Sequence, residues 1–180
     1  MDISKVSPGQ NPPHEINVVI EVPMRSDPIK YEFDKSSGAI FVDRFLYTTM
    51  FYPCNYGFIP HTLANDGDPI DVMVVGRMPV QTGAVLPARP IGVLELEDEA
   101  GGDEKILAVP GRKITQLYDR VESWQDIADI DLKRIQHFFE HYKDLEPDKW
   151  VRVGNWRDLD IAHALIMQAI ERETHKTGDG

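Results

Sequence analysis

An α+β domain, mainly β, with its strands rolled into a small closed barrel and two amphipathic helices at the C-terminal end, is what the order of apolar patterns predicts. Short alternating runs between Gly, Pro and Asp turns fill the first two thirds of the chain. From Asp126 the apolar period lengthens to helical spacing, and no strand-helix-strand alternation occurs. Closure into a barrel is the economical way to remove exposed sheet edges.

A chain of 180 residues with 42% hydrophobic content suits one domain, residues 1–180, around a single sizeable core. Residues 1–15, MDISKVSPGQNPPHE, are Pro-rich and read as a mobile N-terminal segment. INVVIEVP (16–23) reads as a first strand, IKYEFD (29–34) as a second, and AIFVDRF (39–45), after the turn signal Ser37-Gly38, as a third. The block 47–63 mixes aromatics with Pro53, Gly57 and Pro60 and reads as an ordered but irregular wall that shapes a pocket. Further strands are expected at 70–75, 91–97 and 105–109, the last two joined by the acidic turn DEAGGDE. Ile127, Ile130, Ile135, Phe138, Phe139 and Tyr142 recur at helical spacing, as do Ile161, Ala162, Leu165, Ile166, Ala169 and Ile170.

Thirty acidic against nineteen basic residues give a net charge of -11, which opposes binding through a nucleic-acid backbone. The single cysteine, Cys54, has no internal disulfide partner, and the N-terminal stretch lacks the basic and apolar regions of a secretion signal, so the cytoplasm is the expected compartment. No apolar window approaches the length of a membrane span.

NDGDPIDVMVV (65–75) carries Asp66, Asp68 and Asp71 into an apolar run. If a strand begins near Pro69, Asp71 shares a face with Met73 and Val75, while Asp66 and Asp68 lie in the preceding turn. Carboxylates at contact distance repel by about 4 kcal/mol at an effective dielectric near 20, so a cation is the expected companion. A solvated acidic turn is the bland alternative. All-oxygen ligands suit a hard ion such as Mg²⁺. A helix-loop-helix calcium site is excluded, because Arg77 would stand where its bidentate Glu is needed.

Asp98 and Asp103 flank a predicted hairpin turn that could fold back on this cluster. Lys30 and Glu32 on one face of the second strand, with Arg44, Tyr52, Tyr56, Lys105, Tyr142 and Lys143, complete a scattered set of polar groups. Taken together they suit a small, highly charged phosphate bridged to carboxylates by Mg²⁺ and clamped by cations.

DGDPIDV (66–72), VVIEVP, DPIKYEFDK, GAIFVDRF, MFYPCNYGFIPHTL, RPIGVLE, DEAGGDEKILAVP and HFFEHYKDLE, in this order from about Asn17 to Trp156, resemble the soluble family I inorganic pyrophosphatases of bacteria. The resemblance implies an OB-like five-stranded closed barrel with flanking helices. It also implies hydrolysis of diphosphate to two phosphates by a Mg²⁺-activated water, with several Mg²⁺ ions per site and Mn²⁺ as a substitute. By resemblance, Asp66, Asp71 and Asp103 are metal ligands, Asp98 and Glu32 join them for ions arriving with substrate, and Asp68 is the proton acceptor. Lys30, Arg44, Tyr56, Lys105, Tyr142 and Lys143 match phosphate-binding groups, and Glu21 and Tyr52 supporting ones. The family also implies a homo-oligomer, a hexamer.

HFFEH (137–141) has the spacing of an inverted zinc peptidase motif, but no third ligand is evident, and helix packing or a subunit contact is the expected role. The aspartate triplet also resembles the nucleophile motif of haloacid-dehalogenase phosphatases, although there the strand precedes the motif. A barrel that binds single strands or stores metal is the non-enzyme alternative, opposed for nucleic acid by the acidity.

Overall fold

The computed structural model describes residues 3–34 and 37–178. Along the chain come β1 (Ile16–Val22), β2 (Ile29–Asp34), β3 (Ala39–Phe45), β4 (Asn55–Phe58), β5 (Asp71–Val74), β6 (Val85–Asp98), β7 (Gly101–Gly102), β8 (Lys105–Pro110), α1 (Asp129–His141), β9 (Val151–Arg157) and α2 (Leu159–Gly178). β1, β4, β5, β8 and β6 pair in that order, and β6 returns to β1, so five strands form a closed ring. All of these pairings are antiparallel except β5 with β8. The expected mainly β, OB-like arrangement with two C-terminal helices is the one observed.

Both faces of the ring are covered, which explains strands that read as nearly continuous apolar runs. Val22, Tyr56, Met73 and Leu107 pack in one cluster with Leu132, Ile135, Phe138 and Phe139 of α1. Val18, Ile20, Val72, Val74, Ile106 and Ala108 form a second with Ala162, Ile166 and Ala169 of α2. Strand alternation on β5 therefore sends Met73 toward α1 and its two valine neighbours toward α2. At Gly57 the backbones of β1 and β4 come so close that a Cβ would sit 1.9 Å from the Val19 carbonyl oxygen.

Several elements depart from the sequence reading. The 47–63 block contains β4, a regular strand of four buried residues hidden among prolines and aromatics. β6 begins at Val85, earlier than expected, and accommodates Pro90 at a bulge between Pro90 and Gly92. β9 has no counterpart in that reading; it adds to the other part of β6, outside the ring. β2 and β3 form a separate two-stranded sheet. The first helix starts at Asp129 after a 3₁₀ turn at Trp124–Asp126, and Tyr142 and Lys143 lie just past its end.

The N-terminal segment lies along the ring. Ile3 is buried against Val19 and Phe58, the Asn17 N–H donates to the Pro8 carbonyl at 2.8 Å, and a His61 ring nitrogen lies 3.0 Å from the Ser4 carbonyl. Residues 1, 2, 35, 36, 179 and 180 lie outside the described residues. Among those described, no helix is long and apolar enough to cross a membrane.

Candidate active site

The parallel pairing of β5 with β8 decides where the acidic stretches meet. Parallel strands start at the same end, so the turn before β5 and the turn before β8 are neighbours although tens of residues separate them. Val72 faces Ile106 and Met73 faces Leu107, which sets Asp71 beside Lys105. Across β4, Tyr56 is paired with Met73 and Phe58 with Asp71, so Tyr56 is a diagonal neighbour of Asp71 on the same face. In the β2–β3 sheet Lys30 lies opposite Arg44.

These elements enclose a cavity of about 940 Å³. Asp66, Asp68, Asp71, Asp98, Asp103, Glu32 and Glu21 line it together with Lys30, Arg44, Lys105, Lys143, Tyr52, Tyr56 and Tyr142. All fourteen residues singled out from the sequence thus share one cavity. Among the described residues nine carboxyl groups and six cationic groups line it, so the acidic groups outnumber the basic ones.

Lys105 is the hub of the acidic wall. Its ammonium, with the side chain 3% exposed, donates to Tyr56 Oη at 2.9 Å, to Asp71 Oδ2 at 2.8 Å and to Asp103 Oδ1 at 2.8 Å. Three donors meet three acceptors, so the buried charge is fully satisfied. Burial pulls the Lys105 pKa down, but the charges of Asp71 and Asp103 outweigh it and raise the value well above that of a free lysine. Tyr56 donates its phenolic hydrogen to Asp71 Oδ2, and burial followed by the charges of Asp71 and Asp103 drives its own pKa well up.

The remaining carboxylates are held differently. Burial raises Asp66, whose Oδ1 accepts the Asp68 N–H at 3.0 Å and so fixes the turn. Burial, then the charge of Asp71, pushes Glu21 up to about 8, while its Oε1 accepts the Phe33 N–H at 2.9 Å. For Asp98 burial acts upward too, but hydrogen bonds from Lys143 Nζ at 2.8 Å and from the Ala100 N–H at 2.8 Å outweigh it and hold the group below the ordinary carboxylate value.

Two further cations, Lys30 and Arg44, line the cavity beside acidic partners of their own. Arg44 Nε lies 3.2 Å from Glu146 Oε2, its NH1 3.2 Å from Asp43 Oδ2, and Lys30 reaches Asp43 at 3.4 Å. Glu146, nearly buried, was given no role from the sequence, nor were Glu99 and Lys149, which pair with each other at the cavity wall. Glu99 and Lys149 are 50 residues apart, and no local pattern announces such a contact. Glu146 does fall inside the quoted HFFEHYKDLE stretch, and only its burial beside Arg44 sets it apart.

A family model described as inorganic pyrophosphatase matches residues 18–174. The chain belongs to the inorganic pyrophosphatase family. It is 59% identical over 172 residues to the inorganic pyrophosphatase of Agrobacterium fabrum, covering 96% of this chain and 97% of that one. With the inorganic pyrophosphatase of Bradyrhizobium diazoefficiens it shares 58% over 178 residues, 99% of this chain and 100% of the relative. Among solved structures, the inorganic pyrophosphatase of Thermus thermophilus superposes with a TM-score of 0.91 at 40% identity, covering 97% of this chain and 99% of that one. The inorganic phosphatase of Anaplasma phagocytophilum gives 0.93 at 52%, covering 94% and 99%.

A pyrophosphatase of this family depends on metal, and the donors present fit a hard cation: Asp66, Asp71, Asp98 and Asp103 offer oxygen alone. Among the described residues these carboxylates form no set of three with ligand atoms within 4.8 Å. Mg²⁺ keeps several waters and is bound through one or two carboxylates and substrate oxygens, so an open arrangement of this kind suits it. The polar side chains of HFFEH point elsewhere: His137, Glu140 and His141 are exposed on α1 and are not among the cavity-lining residues, whereas Phe139 between them is.

Proposed function

We propose that this chain hydrolyses inorganic diphosphate to two phosphates with Mg²⁺ in the cavity, Mn²⁺ being the alternative ion. The observation that carries the reading is the meeting of two acidic turns, at the starts of parallel β5 and β8, with Lys30, Arg44 and Lys143 in one cavity. The near full-length similarity to inorganic pyrophosphatases supports it. Asp66, Asp71 and Asp103 would hold the ions present before substrate, and Asp98 and Glu32 those that accompany it.

Bound Mg²⁺ supplies Lewis acidity to the phosphoryl oxygens and to the attacking water. Asp68, held in its turn by the Asp66 carboxylate, accepts the proton of that water as the bridging P–O bond breaks. Arg44, Lys30 and Lys143 orient the phosphates and meet the charge gathering on the leaving group. Tyr56, Tyr142 and Lys105 would complete the phosphate-binding set, Lys105 by exchanging one of its present acceptors for a phosphate oxygen, while Glu21 and Tyr52 play supporting roles.

We further place the protein in the cytoplasm as a homohexamer. The exposed Phe41, Val42, Phe45, Tyr47 and Phe51 near the β2–β3 sheet support self-association, which sedimentation would test by finding a monomer or a hexamer. For the reaction, phosphate release from diphosphate, ATP and a phosphomonoester is compared with and without Mg²⁺. Mg²⁺-dependent turnover of diphosphate far above the other two is expected; equal rates on all three, or turnover in EDTA, would overturn the reading.

A further inference from the structure

One cation of the cavity lining has no role in the reaction as set out above. Lys176 reaches the cavity from the last turn of α2. Helical spacing sets its direction. Ala169 is buried on the core face of α2, Arg172 donates from Nε to the Leu63 carbonyl at 2.8 Å, and Lys176 follows on the same stripe, two turns beyond the first and one beyond the second. That stripe is fastened to the acidic turn. The Leu63 N–H donates to the Ala169 carbonyl at 2.9 Å, and the neighbouring Ala64 N–H donates to the Asp68 carbonyl at 2.7 Å. The end of α2 is thereby held beside the turn that carries Asp66 and Asp68.

The other cations of the lining, Lys30, Arg44, Lys105, Lys143 and Lys149, each have a carboxylate oxygen within 3.4 Å. Among the described residues Lys176 has no such partner, and it is exposed. An incoming phosphate must compete with a carboxylate for each of the five, whereas Lys176 offers three free donors at once. The acidic majority of the lining opposes the approach of an anion, so an unpaired ammonium at its edge has a disproportionate effect on capture. We infer that Lys176 is a further phosphate-binding residue, an arm of α2 that meets the substrate on the side of Asp68, where water attacks phosphorus. The role rests on the diphosphatase reading and adds to it a group from the far end of the chain. A cation in a helix's last turn also complements the carbonyl end of that helix, but such a role acts on stability and not on affinity for phosphate.

Two measurements on the full-length protein in saturating Mg²⁺ separate these roles. Diphosphate turnover gives KM and kcat, and calorimetric titration with methylene diphosphonate, which keeps both phosphoryl groups but has no bridging oxygen, gives a Kd without chemistry. Lys176→Met is expected to raise KM and the diphosphonate Kd by roughly 5- to 12-fold, between the worth of an exposed ion pair and that of a charged hydrogen bond, with a smaller effect on kcat and an unchanged melting temperature. Lys176→Arg should restore both constants. Added KCl should weaken diphosphonate binding more steeply in the parent than in Lys176→Met. Parent-like KM and Kd in Lys176→Met, or equal losses in Lys176→Met and Lys176→Arg, would overturn the contact. A parent that binds the diphosphonate through Lys176 yet leaves diphosphate intact would instead end the diphosphatase reading and leave the contact standing.

Discussion

Replacing Lys105 by Met removes the charge that three acidic-wall groups share and leaves the apolar stem in place. Asp71 and Asp103, with side chains 28% and 16% exposed, then face each other without a cation. Removing one partner of a buried ion pair costs about 3–5 kcal/mol, and the partial exposure of the aspartates favours the lower end. For a domain of this size about 3 kcal/mol lowers the melting temperature by roughly 6–12 °C. The loss should be specific to metal-free conditions, because Mg²⁺ can take the place of the missing ammonium. An ion at a hundred times its Kd contributes about 2.7 kcal/mol, so saturating Mg²⁺ should recover most of the deficit. Urea unfolding of Lys105→Met and of the parent protein, each in EDTA and in saturating Mg²⁺, reads both effects. A deficit below about 1 kcal/mol in EDTA, or equal gains from Mg²⁺ in the two proteins, would refute the role given to Lys105.

Asp68→Asn should keep Mg²⁺ binding and lower turnover by about 10²–10⁴-fold, the usual contribution of a positioned general base; steady-state kinetics near the parent's would remove Asp68 from its role. Arg44→Ala should cut kcat/KM roughly 10- to 150-fold, the worth of a charged hydrogen bond, and Glu146→Gln should reproduce part of that loss through Arg44. Glu21 keeps its proton up to about pH 8 in the fold but only to the ordinary value of 4.5 when unfolded, so the folded chain binds more protons between these limits. Metal-free stability should therefore fall as pH rises through that window, by up to about 1.4 kcal/mol per unit; Glu21→Gln should flatten the slope in urea titrations, and an unchanged slope would exonerate Glu21.

Much of this arrangement is legible in the chain because it follows from strand alternation. Asp71 is placed on the face of Met73 by counting residues, and the structure keeps it there, at the edge of the cluster beneath α1. What alternation does not give is the parallel partner of β5, and that pairing alone makes neighbours of Asp71 and Lys105. The short strand β4 is obscured because Pro53, Gly57 and Pro60 signal irregular backbone, whereas Gly57 is there for close approach to β1. β9 alternates only weakly, with Val151, Val153 and Trp156 half-buried beside exposed Gly154 and Asn155, so its pairing with β6 leaves little trace in the sequence. Glu146 is legible as an acidic residue but not as the buried partner of Arg44, since the two come from distant segments.

The strands, more than any ion, hold the carboxylates together. Asp71 and Asp103 each lie 2.8 Å from the same ammonium, so their accepting oxygens stand no further apart than twice that distance. At an effective dielectric near 20 their mutual repulsion is at least about 3 kcal/mol, and about 4 kcal/mol at a 4 Å separation. Val72, Met73, Ile106 and Leu107, on the two strands that carry the acidic turns, are fully buried. At about 1.5–3 kcal/mol each, their burial contributes roughly 6–12 kcal/mol, well beyond that repulsion even without Lys105. Chelation should then behave unlike metal removal from a domain whose fold is built around its ion, which unfolds. EDTA should abolish diphosphate turnover and leave the far-ultraviolet circular dichroism spectrum unchanged, and excess Mg²⁺ should restore turnover without a refolding phase. Loss of the spectrum in EDTA would mean that the cations, and not the paired strands β5 and β8, gather these side chains.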